Sequence, residues 1–363
     1  VSDTQILAGA AAPPPPAPAI SRFEFLPGWV AYGPIVAHWV ALGLWHRDFS
    51  LPTAANPRIT TGGLCGERKS SILDLAGTLA RGWIARTATL TVGENDVSRA
   101  QSVMASHGLA LPLVVKPDIG CNGTGVRLVR DAAALAAALA AFPRGTTLVL
   151  QAFSPHPGEA GIFYIRHPDE ARGQVTSLTL KYPPIVTGNG RATLHELIAA
   201  DPRHAKLQAL YLERLAGRLQ QVPQAGETVQ LVFAGNHCKG SIFANGEADI
   251  TPALAAQIDA IARDIPDFHF GRFDVRYATL AELRRGTGFT IIEINGVGAE
   301  ATHIWDPSTS LWRIWRDQLR HYSAAWSIGA TLRARGGKTS GLGVMYRDWK
   351  TQRRLMASYP LND

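Results

Sequence analysis

The sequence predicts a mixed α and β chain, and three observations carry that expectation. Strand-like runs rich in β-branched and apolar residues alternate irregularly with helix-period segments, which points to α+β or α/β organisation, with α+β the class adopted here. No internal repeat is visible, which removes solenoids and propellers. With 363 residues, 46% of them hydrophobic and 18% charged, the chain has the balance of a globular protein of two or three packed units.

Residues 1–20, which include AAAPPPPAPAI, read as a flexible or polyproline arm. No basic region precedes an apolar stretch there, so the arm does not read as a signal peptide. Residues 21–107 form an N-terminal region. Its first part, FLPGWVAYGPIVAHWVALGLWH at 25–46, has no Lys, Arg, Asp or Glu. As a helix at about 1.5 Å per residue it is long enough for a bilayer core of about 30 Å. Trp29, Trp39 and Trp45 resemble interfacial anchors. Pro27, Gly33 and Pro34 interrupt the pattern and His38 sits near its middle. The segment is therefore expected to pack against the protein and partly at an interface, with a plain buried helix and a membrane span as the alternatives. Next, Gly62, Gly63 and Gly66 lead into a helical pattern opened by Lys69 and Ser70. A glycine loop feeding a helix N-terminus suits an anion; a capped turn without a ligand fits equally.

Further along, 96–108 is expected to be a helix with Asp96 as N-cap and Gly108 as stop. LPLVVKP reads as a buried strand, 131–142 as an alanine-rich helix and 146–153 as a strand. Strand patterns recur at 161–166, 175–181 and 228–234. Residues 241–244 are expected to pair in a hairpin through Asn245-Gly246. A helix is expected at 252–264, strands at 271–277 and 289–295, and a Trp-rich helix at 308–328.

Charge is unevenly placed. Of a net +7, the tail 331–363 carries +5, from seven Lys/Arg against Asp348 and Asp363. The body is nearly neutral, which argues against a nucleic-acid groove; the basic tail leaves peripheral contact with an anionic membrane open. Cys65, Cys121 and Cys238 are too far apart for a disulfide framework or a metal knuckle, so a reducing, cytoplasmic setting is expected.

Two clusters carry chemistry. VVKPDIGCNGTGV delivers Lys116 from a strand into a loop with Gly120, Gly123 and Gly125. Glycines let backbone N–H groups approach phosphate closely, and the lysine supplies positive charge. The spacing is not that of a Walker loop. The second cluster is GRFDVRY and FTIIEINGVG at 271–298. Alternation puts Arg272, Asp274 and Arg276 on one strand face, and Phe289, Ile291, Glu293 and Asn295 on one face of the next. Two carboxylates and an amide oxygen suit Mg²⁺ or Mn²⁺, hard cations that accept oxygen ligands beside substrate phosphates. A solvent-facing polar stripe is the plainer alternative.

Together, in this order, the clusters resemble the ATP-grasp superfamily, from about Leu109 to Asp306. The resemblance is to D-alanine–D-alanine ligase-like and cyanophycin-synthetase-like members and to uncharacterised bacterial ATP-grasp proteins. It implies two α+β subdomains holding ATP between them, here expected at 108–180 and 181–330, with an atypical N-terminal region lacking a Rossmann-like unit. It also implies ATP-site roles for Lys116, Gly120, Gly123, Thr124, Gly125 and Lys181 at the phosphates. Gln151, Ala152 and Phe153 would lie at the adenine, and Glu159 at the ribose. Asp274, Glu293 and Asn295 would hold the metal. Arg272 and the backbone at Gly298 would stabilise an oxyanion. His237, Glu300 and His303 are weaker substrate candidates, as is Lys239, in a loop that a surface hairpin would explain equally.

The implied activity is ligation. A small-molecule or peptide carboxylate is activated as an acyl phosphate and coupled to an amine. A small-molecule kinase and a non-catalytic ATP-binding scaffold at a membrane remain as alternatives.

Overall fold

The computed structural model describes Phe23 and residues 26–361; the arm expected at 1–20 lies outside the described residues. Among the described residues the first strand begins at Thr87, and before it come α1 (Gly28–His46), two short 3₁₀ turns, α2 (Lys69–Asp74) and α3 (Thr78–Arg81). Then β1 (Thr87–Thr91), α4 (Asp96–Ser106), β2 (Leu113–Pro117), β3 (Arg127–Val129), α5 (Ala132–Ala140) and β4 (Thr147–Ala152) form a small antiparallel sheet, ordered β1-β4-β2-β3. One face of it packs Leu113, Val115, Leu148 and Leu150 against Ala100, Met104, Leu135 and Leu139 of α4 and α5. Asp131 caps α5 by accepting from the Ala134 N–H at 2.7 Å. Asp96 is not the N-cap of α4. Asn95 takes that place in the left-handed region, and Asp96, the first helical residue, accepts from the Gly93 N–H.

The chain next lays down β5 (Gly158–Ile165), β6 (Gln174–Tyr182) and β7 (Ile185–Thr187). A helical insertion follows, α6 (Leu194–Ala200), α7 (Pro202–Lys206) and α8 (Gln208–Arg214), closed by β8 (Thr228–Gln230) on β7. Then come β9 (Ile242–Asn245), α9 (Pro252–Arg263), β10 (Phe270–Tyr277), α10 (Leu280–Arg284), β11 (Phe289–Asn295), α11 (Leu311–Ala334) and α12 (Leu342–Met356). The large antiparallel sheet is ordered β11-β10-β5-β6-β9. On one face Ile162, Tyr164, Leu178, Phe273, Val275 and Ile291 pack on α2, α3, α9 and α10. On the other, Phe163 and Phe270 pack on Ala325 and Ile328 of α11 at one end, leaving the rest of that face for polar side chains.

The class is α+β, as expected from the strand and helix order. Several boundaries move. β1 and α4, assigned to the N-terminal region, belong to the small sheet, because β1 pairs along β4 from Thr87↔Gln151 to Thr91↔Thr147. β5 and most of β6, assigned to the first subdomain, belong to the large sheet, so the division at 180/181 falls inside a strand. Residues 241–244 do not form a hairpin through Asn245-Gly246. β9 instead pairs with β6, Thr179↔Asn245 to Tyr182↔Ile242, and a 3₁₀ turn follows.

The uncharged N-terminal segment forms one helix despite Pro34. Among the described residues no helix is long and apolar enough to cross a membrane. Trp39 packs edge-on against Tyr322 and Trp326 of α11, and His38 Nε2 lies 2.8 Å from Ser323 Oγ. Trp29 and Trp45 stay 79% and 82% exposed, so one face of α1 packs and the other does not.

Candidate active site

A cavity of about 560 Å³ opens between the two sheets. The small sheet supplies Val114, Lys116 and Gln151 from the face opposite its helices, and the large sheet supplies Glu159, Lys181, Arg272, Asp274 and Arg276. The shared face of Arg272, Asp274 and Arg276 follows from strand alternation. The face proposed for β11 is only half right. Val275 pairs with Ile291 and Asp274 with Glu293, so Ile292 is an extra residue in a bulge. The bulge shifts the alternation by one. Phe289 and Ile291 turn to the core with Ile294, while Ile292, Glu293 and Asn295 line the cavity.

At the floor of the cavity, Asp274 is buried and surrounded by donors. Arg272 holds it in a fork, Nε to Oδ1 and Nη2 to Oδ2, both at 3.0 Å. Lys181 Nζ donates to Oδ1 at 2.8 Å and Asn295 Nδ2 to Oδ2 at 3.0 Å. Burial alone would raise its pKa, but Arg272 and Lys181 outweigh it and hold the carboxyl well below the usual range. Burial likewise works to lower Lys181, and the carboxylates of Asp274 and Glu159 raise it overall. Glu159 takes Lys181 on Oε1 at 3.3 Å and Arg276 on Oε2 at 3.1 Å. Both its oxygens are thus engaged by cations, and it lines the cavity.

Lys116 bridges the two sheets. Its Nζ donates to Gln151 Oε1 and to the Ile292 carbonyl, each at 2.9 Å, and Gln151 Nε2 donates to the same carbonyl at 3.0 Å. Burial lowers Lys116 to about 8, against the pull of Glu293. Above it runs the glycine loop, where Gly123 and Gly125 have φ of +64° and +71° and Thr124 donates its N–H to Cys121 O. Such backbone is open to glycine and strained for other residues. Val126, Ala152, Phe153 and Phe233 form an apolar slot beside it, the two rings 6.4 Å apart.

The N-terminal region contributes residues that the sequence reading did not place here. Lys69 Nζ reaches the Gly120 carbonyl and lies 3.4 Å from Glu293 Oε1. Glu67 lines the same wall, its carboxyl raised by burial. The N-terminus of α2 does not wait for a ligand: the Ser70 N–H is taken by Asp118 Oδ1 and the Lys69 N–H by Asp118 O. Tyr32 of α1, Tyr322 of α11 and Gln352 of α12 also line the cavity. Lys69 stood in the glycine loop singled out from the sequence; nothing local marks Tyr32, Tyr322 or Gln352.

Two expected roles do not survive the geometry. The Gly298 N–H is donated to Gly63 O at 2.7 Å and that of Val297 to Gly62 O at 3.0 Å, so neither is left for an oxyanion. A Cβ on Gly298 would come 2.7 Å from the Leu64 carbonyl, and glycine is required there by close backbone approach. His303 does not line the cavity. It is buried with Nε2 3.1 Å from Asp317 Oδ2. His237 does line it, stacked on Trp305 with centroids 3.8 Å apart, and burial lowers it to about 4. Lys239 is buried behind the glycine loop, also lowered to about 8 by burial.

Among the described residues no cluster of three or more His, Cys, Asp or Glu is arranged to hold a metal. Asp274 is fully engaged by its donors. Asn295 turns its NH₂ group to Asp274, which leaves its carbonyl oxygen, together with the half-exposed Glu293, facing the cavity. One carboxylate and one amide oxygen suffice for Mg²⁺ only where substrate phosphates and water complete the shell.

No protein-family model and no curated protein matches the chain. Solved structures do. A bifunctional glutathione synthetase from Pasteurella multocida matches at 16% identity and a TM-score of 0.39, over 73% of this chain and 36% of its own. The VanG D-Ala:D-Ser ligase from Enterococcus faecalis matches at 13% and 0.41, over 73% and 63%. The D-cycloserine synthetase DcsG matches at 14% and 0.39, over 74% and 70%. The chain thus spans about a third of the first enzyme and under two thirds of the second. Each of these is a likeness of fold over part of the chain.

Proposed function

We propose that the chain is an ATP-dependent ligase that activates a carboxylate as an acyl phosphate and couples it to an amine. The observation that carries this reading is the convergence of Lys69, Lys116, Lys181 and Arg272 on one cavity, beside the glycine loop and the apolar slot. A nucleotide bound there would set its adenine beside Phe153 and Phe233 and its phosphates under the glycine loop. Glu293 and the Asn295 carbonyl are the oxygens that would hold Mg²⁺ or Mn²⁺, which when bound neutralises phosphate charge.

The chain's own part is positioning and electrostatics, which dominate phosphoryl transfer. Lys116 and Lys181, each fixed by carbonyl or carboxylate partners, offer their remaining N–H groups to phosphate oxygens. A substrate carboxylate oxygen attacks the γ-phosphorus and ADP leaves with the bridging oxygen. The amine nitrogen then attacks the acyl carbon, phosphate leaves with its oxygen, and the amine's proton passes to solvent or a nearby base. Arg272, locked by Asp274, stands next to this point and stabilises negative charge developing on the acyl oxygen.

Hydroxylamine traps acyl phosphates as hydroxamates. With ATP, Mg²⁺, hydroxylamine and a panel of amino and hydroxy acids, at least one acid should give ADP and a hydroxamate in equal amounts. Glu293→Gln should lower that rate by at least about a hundredfold. A near-normal rate in the variant would remove Glu293 from the metal site. A phosphorylated hydroxyl in place of a hydroxamate would replace ligation with kinase chemistry.

A further inference from the structure

One end of the cavity is lined by side chains to which the proposed function gives no ATP or metal role. Glu300, from the segment after β11, turns its carboxylate toward this end. Its Oε1 accepts from Tyr32 Oη at 3.1 Å and from Gln318 Nε2 at 3.2 Å, which ties α1 and α11 to the site. Tyr322 and His237 line the same end, with Trp305 behind His237. Resting on the ligase reading, we infer that this pocket is the acceptor subsite and that Glu300 recognises the ammonium group of a cationic amine.

The argument is one of missing countercharge. A carboxylate removed from water needs a cation or several donors to offset its desolvation. The side-chain donors that reach the Glu300 carboxyl are neutral: Tyr32 and Gln318 on Oε1, and the Trp305 indole. The nearest guanidinium, Arg272, directs Nε and Nη2 to Asp274 and Nη1 to the Glu300 backbone carbonyl rather than to its carboxylate. Lys69 is paired with Glu293, and Lys181 with Asp274 and Glu159. Among the described residues no ion pair is made by the Glu300 carboxylate, and the cavity supplies the place for a partner. Burial pushes the Glu300 carboxyl up, with the Tyr32 hydroxyl, the Trp305 indole and Arg272 pulling the other way. The aromatic walls add to the same preference, because tyrosine faces attract cations. A neutral alcohol or an anionic acceptor would leave the carboxylate unpaired or repelled. Arg272 Nη1 on the Glu300 carbonyl places this subsite beside the residue assigned to the acyl oxygen, so a bound acceptor, once its ammonium has given a proton to solvent or a base, would stand next to its electrophile.

Ligand-observed saturation-transfer NMR on the full chain with ATP and Mg²⁺ tests the inference with two probes of equal size, propylammonium chloride and 1-propanol. The wild type should bind propylammonium at least about tenfold more tightly than propanol, the scale expected for a buried charge partner. In Glu300→Gln the preference should vanish, and in Tyr32→Phe, which keeps the carboxylate but frees it from its hydroxyl donor, it should persist in weakened form. Equal binding of the two probes by the wild type, or a preference unchanged in Glu300→Gln, would overturn the subsite. Hydroxamate formation measured on the same samples reads the acyl-phosphate step separately, since hydroxylamine is neutral near pH 7 and needs no ammonium pocket. An ammonium preference with no hydroxamate would count against the ligase reading alone.

Discussion

Lys116 sits where burial and phosphate recognition pull in opposite directions. Desolvation brings its pKa down to about 8, while a bound polyphosphate would hold the proton on. ATP binding above pH 8 should therefore take up a proton, and affinity should fall as pH rises through that value. We expect the ATP dissociation constant, measured by calorimetry, to rise several-fold between pH 7 and pH 9, up to about tenfold per unit at most for one group. Lys116→Met should bind ATP more weakly and lose most of the slope, with a residue left from Lys239, also lowered to about 8 behind the glycine loop. A flat wild-type profile would remove Lys116 from the phosphate site. Stability runs the opposite way. Between about 8 and the ordinary 10.5 the unfolded chain binds more protons at this lysine than the folded one, so the Lys116 contribution to stability rises with pH in that window.

At the scale of elements, α12 acts as a clasp over two loops. None of its residues is fully buried, yet its inner face touches both glycine-bearing segments of the site. Gln352 Oε1 accepts the Gly66 N–H at 2.7 Å, and Cys65 Sγ lies 3.5 Å from the Met345 carbonyl. Met356 Sδ lies 3.6 Å from Cys121 Sγ, and just past the helix Tyr359 Oη donates to the Ile119 carbonyl at 3.0 Å. Each hydrogen bond is worth about 1 kcal/mol net. Gln352→Ala combined with Tyr359→Phe should therefore speed hydrogen exchange at 62–66 and 118–125 by about tenfold or more. The strands of the small sheet should stay protected, and unchanged exchange in the loops would mean that α12 merely rests there. The tail was legible in the sequence as basic but not as a clasp. Its contacts are far apart in the chain, as Gly66 and Gln352, 286 positions apart, and no local pattern encodes them. What was legible was local. Alternation in GRFDVRY put Arg272, Asp274 and Arg276 on one face, and the glycine spacing marked the loop after Lys116. The bulge at Ile292 was not legible, because an extra residue in a strand leaves the composition of FTIIEIN untouched. Glu300 and Tyr32 lie 268 positions apart and meet only through the packing of α1 on α11.

Seen whole, the molecule is asymmetric in charge and in surface. The sheets and their cavity are nearly neutral, while the region after 330 carries most of the net +7. On α1, Trp29, Val36, Val40 and Leu44 are exposed at helical spacing along most of the helix and Trp45 is exposed further round it, while Trp39 packs against α11. Tyr346 and Trp349 are exposed on α12 among Arg347, Lys350, Arg353 and Arg354. Contiguous apolar surface on a helix costs free energy in water and calls for a cover. The charge balance favours an anionic lipid surface over an acidic pocket of the protein's own. Each Lys or Arg near such a surface contributes about 1 kcal/mol, and stable peripheral attachment takes a second, apolar signal, which the tryptophans at both ends of α1 would give. In co-sedimentation with vesicles, binding should rise with the fraction of anionic lipid. It should fall as salt is raised from low values to about 0.15 M, where the screening length is about 8 Å. Trp29→Ser with Trp45→Ser should abolish it and leave the melting temperature nearly unchanged, since both side chains are solvent-facing and exposed substitutions usually alter stability by under about 0.5 kcal/mol. No wild-type binding at low salt would end the membrane reading. A fall in oligomeric mass in the double variant, with no vesicle binding in either protein, would show that the stripe is covered by a second copy of the chain.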